Sequence, residues 1–210
     1  MNKKETKIIL ERIEKWYDRL PSLFVQNSQV LSAEFGWSKD PTPFSERLDL
    51  DYKPIIEGDP WGKKWESAWF HLKGQIPENW AGKSIVAELD FSGEGLVFDS
   101  DGRALQGITN GSIWDPNFAR TRVALIESCA GGEQIDLWVE AAANSLFGVF
   151  IDTDPPRENP DRHGWFDAKV EKMRIGIFDK DTWHLYLDVR ILIGLIKRLD
   201  ERSVRRSRAI

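Results

Sequence analysis

The chain has 210 residues, 41% of them hydrophobic and 30% charged, with a net charge of −5 and a pI near 5.4. That length suffices for one well-buried core, and the composition excludes a disordered or collagen-like polymer. The acidic balance argues against a general affinity for nucleic acid or anionic membranes, and no apolar run reaches the roughly 18 residues of a membrane span.

The opening "MNKKETKIILERIEKW" holds only the apolar run Ile8 to Leu10 before Glu11, where a secretory signal needs about 7 to 15 apolar residues. It reads as a helix over residues 4 to 20, with Ile9, Ile13, Trp16 and Leu20 on one stripe and Pro21 as its stop. Residues 21 to 60 show no sustained period and hold Pro41, Pro43, Pro54 and Pro60, which predicts extended segments and loops.

From Trp65 the period becomes two. "ESAWFHLKGQIP" alternates Ala68, Phe70 and Leu72, and after the turn "ENWAGK" the run "SIVAELDFSG" alternates Ile85, Ala87, Leu89 and Phe91. Strand-like runs continue at "GLVFDS", "ALQGIT", "RTRVALIE", "EQIDLWVEAAA" and "FGVFIDT", separated by the turn-formers "DG", "NGS", "AGGE" and "NSLFG". Strands every 8 to 12 residues or so, with no helical pattern between them, predict an antiparallel sandwich or jelly roll. Residues 163 to 178 then place Phe166, Val170, Met173 and Ile177 at helical spacing. Asp181 or Thr182 is expected to cap a last helix bearing Trp183, Leu187, Ile191, Leu195 and Leu199. The expected organisation is an N-terminal helix over 1–20, a sandwich over 21–160 and a helical linker over 161–210.

Several kinds of chemistry lack their signatures. His71, His163 and His184 are scattered, and no His-x-His, His-Glu-x-x-His or cysteine cluster predicts a metal site. Phosphate-cradling glycine loops and the GxSxG elbow are missing too. Cys129, the single cysteine, reads as a passive thiol of a cytoplasmic protein. The basic end, with Lys197, Arg198, Arg202, Arg205, Arg206 and Arg208, is interrupted by Asp200 and Glu201 and has no interleaved aromatics, so it reads as a solvated helix face and not a nucleic-acid arm. Glu94, Asp99, Asp101 and Glu140 are the candidates for a paired-carboxylate site, although "DSDG" reads first as a turn.

Read in order, the tryptophan-rich opening at 61–69, the "IPENWAGK" turn, "GEGLV", "DGRALQGIT" and "VEAAANSLFG" resemble the N-terminal β-sandwich domain of the intracellular α-mannosidases of glycoside hydrolase family 38. The likeness covers roughly residues 61 to 148, and the closing helical stretch is similar to the segment that joins this domain to the catalytic barrel. Phe98 and the longer "DSDG" depart from the family's usual hairpin, where a Trp and a tighter turn are common. The resemblance implies a mainly β chain: an antiparallel jelly-roll, galactose-binding-like sandwich with an N-terminal helix and C-terminal linker helices. It implies a non-catalytic accessory role beside a barrel that carries zinc and an Asp nucleophile. The chain itself is expected to hold no cofactor. Its expected partners are that downstream domain, a mannose-containing carbohydrate and a second copy of the chain, with no nucleic acid and no membrane.

Candidate sugar-contacting residues are Glu94, Asp101, Gln106, Glu140 and Asn144, the polar residues of the resembling motifs, together with Trp65 and Trp69. Even spacing would place Trp65 and Trp69 on one strand face. Two readings stay open for them: an exposed platform for sugar C–H faces, or the packing of a core that uses the roughly 200 Å² an indole buries. A stand-alone carbohydrate-binding module is the alternative to the accessory domain.

Overall fold

The computed structural model describes residues 3–63, 65–110, 119–144, 168–200 and 203–209. The chain divides into two compact units, one made of Met1–Asn27 with Ile177–Ile210 and the other of Ser28–Gly176. The expected strand "FGVFIDT" lies outside the described residues.

The strands are β1 (Val25–Val30), β2 (Ser32–Ser38), β3 (Tyr52–Ile55), β4 (Pro60–Gly62), β5 (Ser67–Gln75), β6 (Ile85–Asp90), β7 (Glu94–Asp99), β8 (Ala104–Thr109), β9 (Arg122–Ile126), β10 (Gln134–Ala142), β11 (Ala168–Lys169) and β12 (Lys172–Phe178), of which β2 to β11 fall wholly within the larger unit. They form a six-stranded sheet in the order β3-β2-β5-β10-β7-β8, a four-stranded sheet in the order β1-β12-β6-β9, and the pair β11-β4. Within the six-stranded sheet every neighbouring pair runs antiparallel, as do β6 and β9. This is the antiparallel jelly-roll sandwich that the alternating sequence predicts.

Period-two alternation fills the core directly. Ala68, Phe70 and Leu72 of β5 are buried beside Val139 and Ala141 of β10 and Val97 of β7, while β6 contributes Ile85, Ala87 and Leu89. Phe70 packs against Phe91 with centroids 4.3 Å apart and meets Trp61 edge-on at 5.4 Å; the Trp61 Nε1–H donates to the Phe91 carbonyl at 2.9 Å. An indole N–H taken out of water needs such an acceptor. Gly131, at φ +88, closes the turn before β10; a Cβ there would lie 2.7 Å from the Glu78 carbonyl oxygen, so the "AGGE" turn requires glycine for both reasons.

The helical reading of residues 163 to 178 is corrected where they are described: Ala168–Lys169 and Lys172–Phe178 are strands. Val170, Met173 and Ile177 do fit a helical step, yet Met173, Ile175 and Ile177 also alternate. A place beside β1 and β6 satisfies the second period and buries Met173 and Ile175 fully. Glu57 fixes this strand by accepting from the Met173 backbone N–H at 3.0 Å and from Arg174 Nε at 2.7 Å.

The smaller unit holds helices α1 (Lys3–Tyr17), α2 (Lys180–Arg198) and α3 (Val204–Ala209). Leu20, Phe24 and Tyr186 form its core with Tyr17, Val25, Phe178, Trp183 and Leu187 packed around them, and the Tyr17 ring stacks on Tyr186 at 4.5 Å. Two details differ from the expected stripes. Trp16 is exposed and Tyr17 takes the inward position. On α2, a strict step of four drifts around a helix of 3.6 residues per turn, so Trp183 and Leu187 pack while Ile191 and Leu195 are exposed and Tyr186 and Ile196 are buried instead. The N-cap is Asp179, whose Oδ1 accepts from the Thr182 N–H at 2.9 Å, and not Asp181 or Thr182.

Candidate functional site

Strand register decides which of the candidate residues meet. On one face of the six-stranded sheet, Gly36, Trp69, Glu140, Leu96 and Gly107 form one cross-strand row, and Ser38, Ser67, Ala142, Glu94 and Thr109 form the next. Glu34, His71, Trp138 and Phe98 make the row on the other side. Trp69, Glu94 and Glu140 therefore share a face, in agreement with side chains of opposed residues standing together on a sheet.

Part of this face is covered. The 3₁₀ turn Phe44–Asp49 lies over it, with the Phe44 ring 5.6 Å from Trp69 and 5.1 Å from Phe98. Arg47 places its guanidinium 3.6 Å from the Phe44 centroid and 4.4 Å from that of Trp138. His71 stacks on Trp138 at 3.8 Å, and its Nε2 is 2.8 Å from Asp136 Oδ1. Trp69 donates its Nε1–H to the Thr42 carbonyl at 2.8 Å and is 1% exposed. No indole face remains there to receive a sugar. Of the two readings left open for Trp69, its surroundings fit packing, because a segment without any apolar period folds over the strand.

Beside the cover lie smaller and polar groups. Asn144 is buried and clips the start of β7 from both sides: its Oδ1 accepts from the Glu94 N–H at 3.0 Å and its Nδ2 donates to Glu94 Oε2 at 2.7 Å. The clip depends on Gly93, where a Cβ would stand 2.2 Å from the Ala142 carbonyl oxygen. Glu140 is half-buried, and its carboxyl titrates above the usual glutamate range because burial disfavours the charged form. It forms no hydrogen bond or ion pair among the described residues, so it can donate or accept toward a group placed against the sheet.

The remaining candidates lie elsewhere. Asp101 is exposed in the β7–β8 turn, donating its N–H to Asp99 Oδ1 at 3.1 Å, and β7 separates it from Glu94. Gln106 stands opposite Val97, on the other face, and donates to the Arg122 carbonyl at 2.7 Å. Trp65 leaves the strand's alternation altogether. It lies in the turn before β5 at φ +71, 48% exposed, with its N–H donating to the Ala143 carbonyl at 2.8 Å. Sequence reasoning missed Glu66 and Trp37. Glu66 Oε2 accepts from the Trp37 Nε1–H at 2.9 Å and from the Lys63 N–H at 2.7 Å, and Trp37 is 48% exposed. A carboxylate set between tryptophans in "WESAW" is the signal that could have drawn notice. Among the described residues no group of three or more His, Cys, Asp or Glu side chains is arranged to hold a metal ion, and no helix is long and apolar enough to cross a membrane.

The family model "Alpha-mannosidase, jelly roll domain" matches residues 27–173. The chain belongs to this family. The α-mannosidase jelly roll domain accounts for the larger unit, and the similarity to whole α-mannosidases extends through the helices. Over 99% of its length the chain is 28% identical to Alpha-mannosidase G of Dictyostelium discoideum, covering 19% of that protein. Likewise it is 25% identical to Alpha-mannosidase 2C1 of Homo sapiens, covering 20%. To an α-mannosidase of Saccharomyces cerevisiae it is 26% identical over 86% of its length. The chain spans about a fifth of the length of the first two relatives. Among solved structures, Ruminococcus gnavus β-glucuronidase aligns over 71% of this chain and 28% of its own, at 13% identity and a TM-score of 0.46, too distant to bear on function.

Proposed function

We propose that this chain is the non-catalytic N-terminal accessory domain of an α-mannosidase of glycoside hydrolase family 38, acting in the cytoplasm. Its jelly roll orders the catalytic part of the parent enzyme and lends one sheet face to the entrance of the sugar site. The observation that carries the reading is coverage: nearly the whole chain, helices included, matches α-mannosidases five times its length. The buried, unpaired thiol of Cys129 suits a reducing compartment.

The sheet face offers positioning and not reaction. Among the described residues Glu140 has an unengaged carboxyl, and Glu94, in the next cross-strand row, is held by Asn144. Such groups accept and donate to sugar hydroxyls. The zinc expected of the parent enzyme does not fit the described residues, which form no ligand set, so no step of this reading runs through a metal.

The test is deletion of residues 28–176 from the parent polypeptide. The yield of folded, mannoside-cleaving enzyme should collapse while the remaining catalytic residues are untouched. Full yield and full turnover without the jelly roll would overturn the proposal.

A further inference from the structure

Helix α2 packs one side within its own unit and carries apolar residues on the other side as well. Tyr186 and Ile196 are buried, yet Ile191 is 67% exposed and Leu192 and Leu195 are each 43% exposed. Asp188, Ile191, Leu195 and Arg198 follow one another at steps of three, four and three, the spacing of a coiled-coil seam. At 3.6 residues per turn this seam is centred roughly 160° round the helix from Tyr186. Apolar residues on both sides of a helix call for a neighbour on both sides.

The charges on the seam say what the second neighbour is. Asp188 and Arg198 are exposed and form no ion pair among the described residues. They stand five residues to either side of Ile193, and Ile191 and Leu195 stand two to either side of it. With a second α2 set antiparallel and the two-fold axis beside Ile193, each Asp188 comes level with Arg198 of the other copy and each Ile191 with its Leu195. Such self-complementarity under a two-fold rotation is what an isologous pair requires. A parallel pair would oppose like charges at both ends. Leu192 and Gly194 flank the seam, and nothing beyond the helix itself lies within 4 Å of the place of a Cβ at Gly194, which leaves a second helix room to approach. An acidic first half and a basic last half also suit the helix dipole, but the dipole gives no reason for Ile191 and Leu195 to lie exposed between them.

We propose that α2 pairs antiparallel with α2 of a second copy of this chain, with Ile191 and Leu195 at the centre and Asp188 against Arg198 at each end. The rest of the parent enzyme is the other surface that could cover this side, and it would have no need of charges matched about Ile193. The pairing stands apart from the accessory role proposed above.

The experiment is analytical ultracentrifugation of the whole chain from about 1 to about 200 µM, the range for a contact as small as one helix seam. The mass should rise from one chain toward two. Ile191→Glu should weaken the pairing at least about tenfold while the unfolding midpoint holds, because the side chain it replaces is exposed. Asp188→Arg alone and Arg198→Asp alone each oppose like charges at both ends and should weaken it by about the same factor. An equimolar mixture of these two variants, and the double variant, restore both opposed pairs and should recover the wild-type affinity. A chain that stays monomeric throughout the range would overturn the pairing and leave this side of α2 to the remainder of the parent enzyme. An affinity indifferent to Ile191→Glu, or a mixture and a double variant no tighter than the single variants, would overturn it too. None of these results touches the accessory role, which the deletion in the parent enzyme tests separately.

Discussion

Trp69→Ala separates packing from recognition at the residue where the two readings diverge most. The Trp69 indole is 1% exposed, touches Phe44 and Phe98, and gives its N–H to Thr42 O. An indole buries about 150–250 Å², which at about 25 cal/mol per Å² corresponds to roughly 4–6 kcal/mol against an extended chain, an upper bound. Alanine keeps a part of that, and core Trp→Ala changes cost about 3–5 kcal/mol. Losing the bond to Thr42 O adds about 1 kcal/mol. A cost near 4 kcal/mol with a urea slope of about 2 kcal/mol/M lowers the unfolding midpoint by about 2 M. Urea titration followed by far-UV circular dichroism measures it directly. A midpoint lowered by less than about 0.5 M, together with lost sugar binding, would refute the assignment of Trp69 to the core.

Three further outcomes follow from named contacts. Gly93→Ala forces a Cβ against the Ala142 carbonyl and should cost about 3 kcal/mol in the same assay, whereas wild-type stability would contradict the close approach of β7 and β10. Glu57→Gln should cost about 1 kcal/mol at pH 7 after allowance for the exposure of Arg174. The Arg174 hydrogen bonds hold the Glu57 carboxyl below its usual range, so this stabilisation is present above the ordinary glutamate value and fades as pH falls through the lowered one; equal midpoints for the two proteins at pH 7 would refute it. Glu140→Gln has the opposite sign. Burial raises the Glu140 carboxyl, so its charged form destabilises the fold above that raised value, and the variant should be the more stable protein at pH 7 with the gap closing toward pH 4; a lower midpoint at pH 7 would reveal a partner for the carboxylate.

The strands were legible because their chemistry is local. Ile85, Ala87, Leu89 and Phe91 alternate, and all four are buried. The clip of Asn144 on Glu94 was half legible: both residues were candidates within the family resemblance, but their bond spans fifty positions and follows from the pairing of β7 with β10. Trp69 stayed between two readings because parity says which face a side chain takes and nothing about what lies over that face. The Phe44–Asp49 turn that covers it has no period to announce it. Trp65 was misread because a single left-handed residue breaks the alternation, and no residue type in "KKWES" foretells it. The stretch Val170 to Ile177 satisfies both periods in part, and only the vacancy for a strand between β1 and β6 chooses between them.

The most direct test of the account is the turnover of 4-nitrophenyl α-mannoside by the purified chain. A domain that positions sugar without a reactive centre should release no nitrophenol above the buffer blank, at any pH, with or without added zinc. Steady hydrolysis that disappears in Glu140→Gln would contradict it, since the sheet face would then be performing the chemistry assigned to the rest of the enzyme.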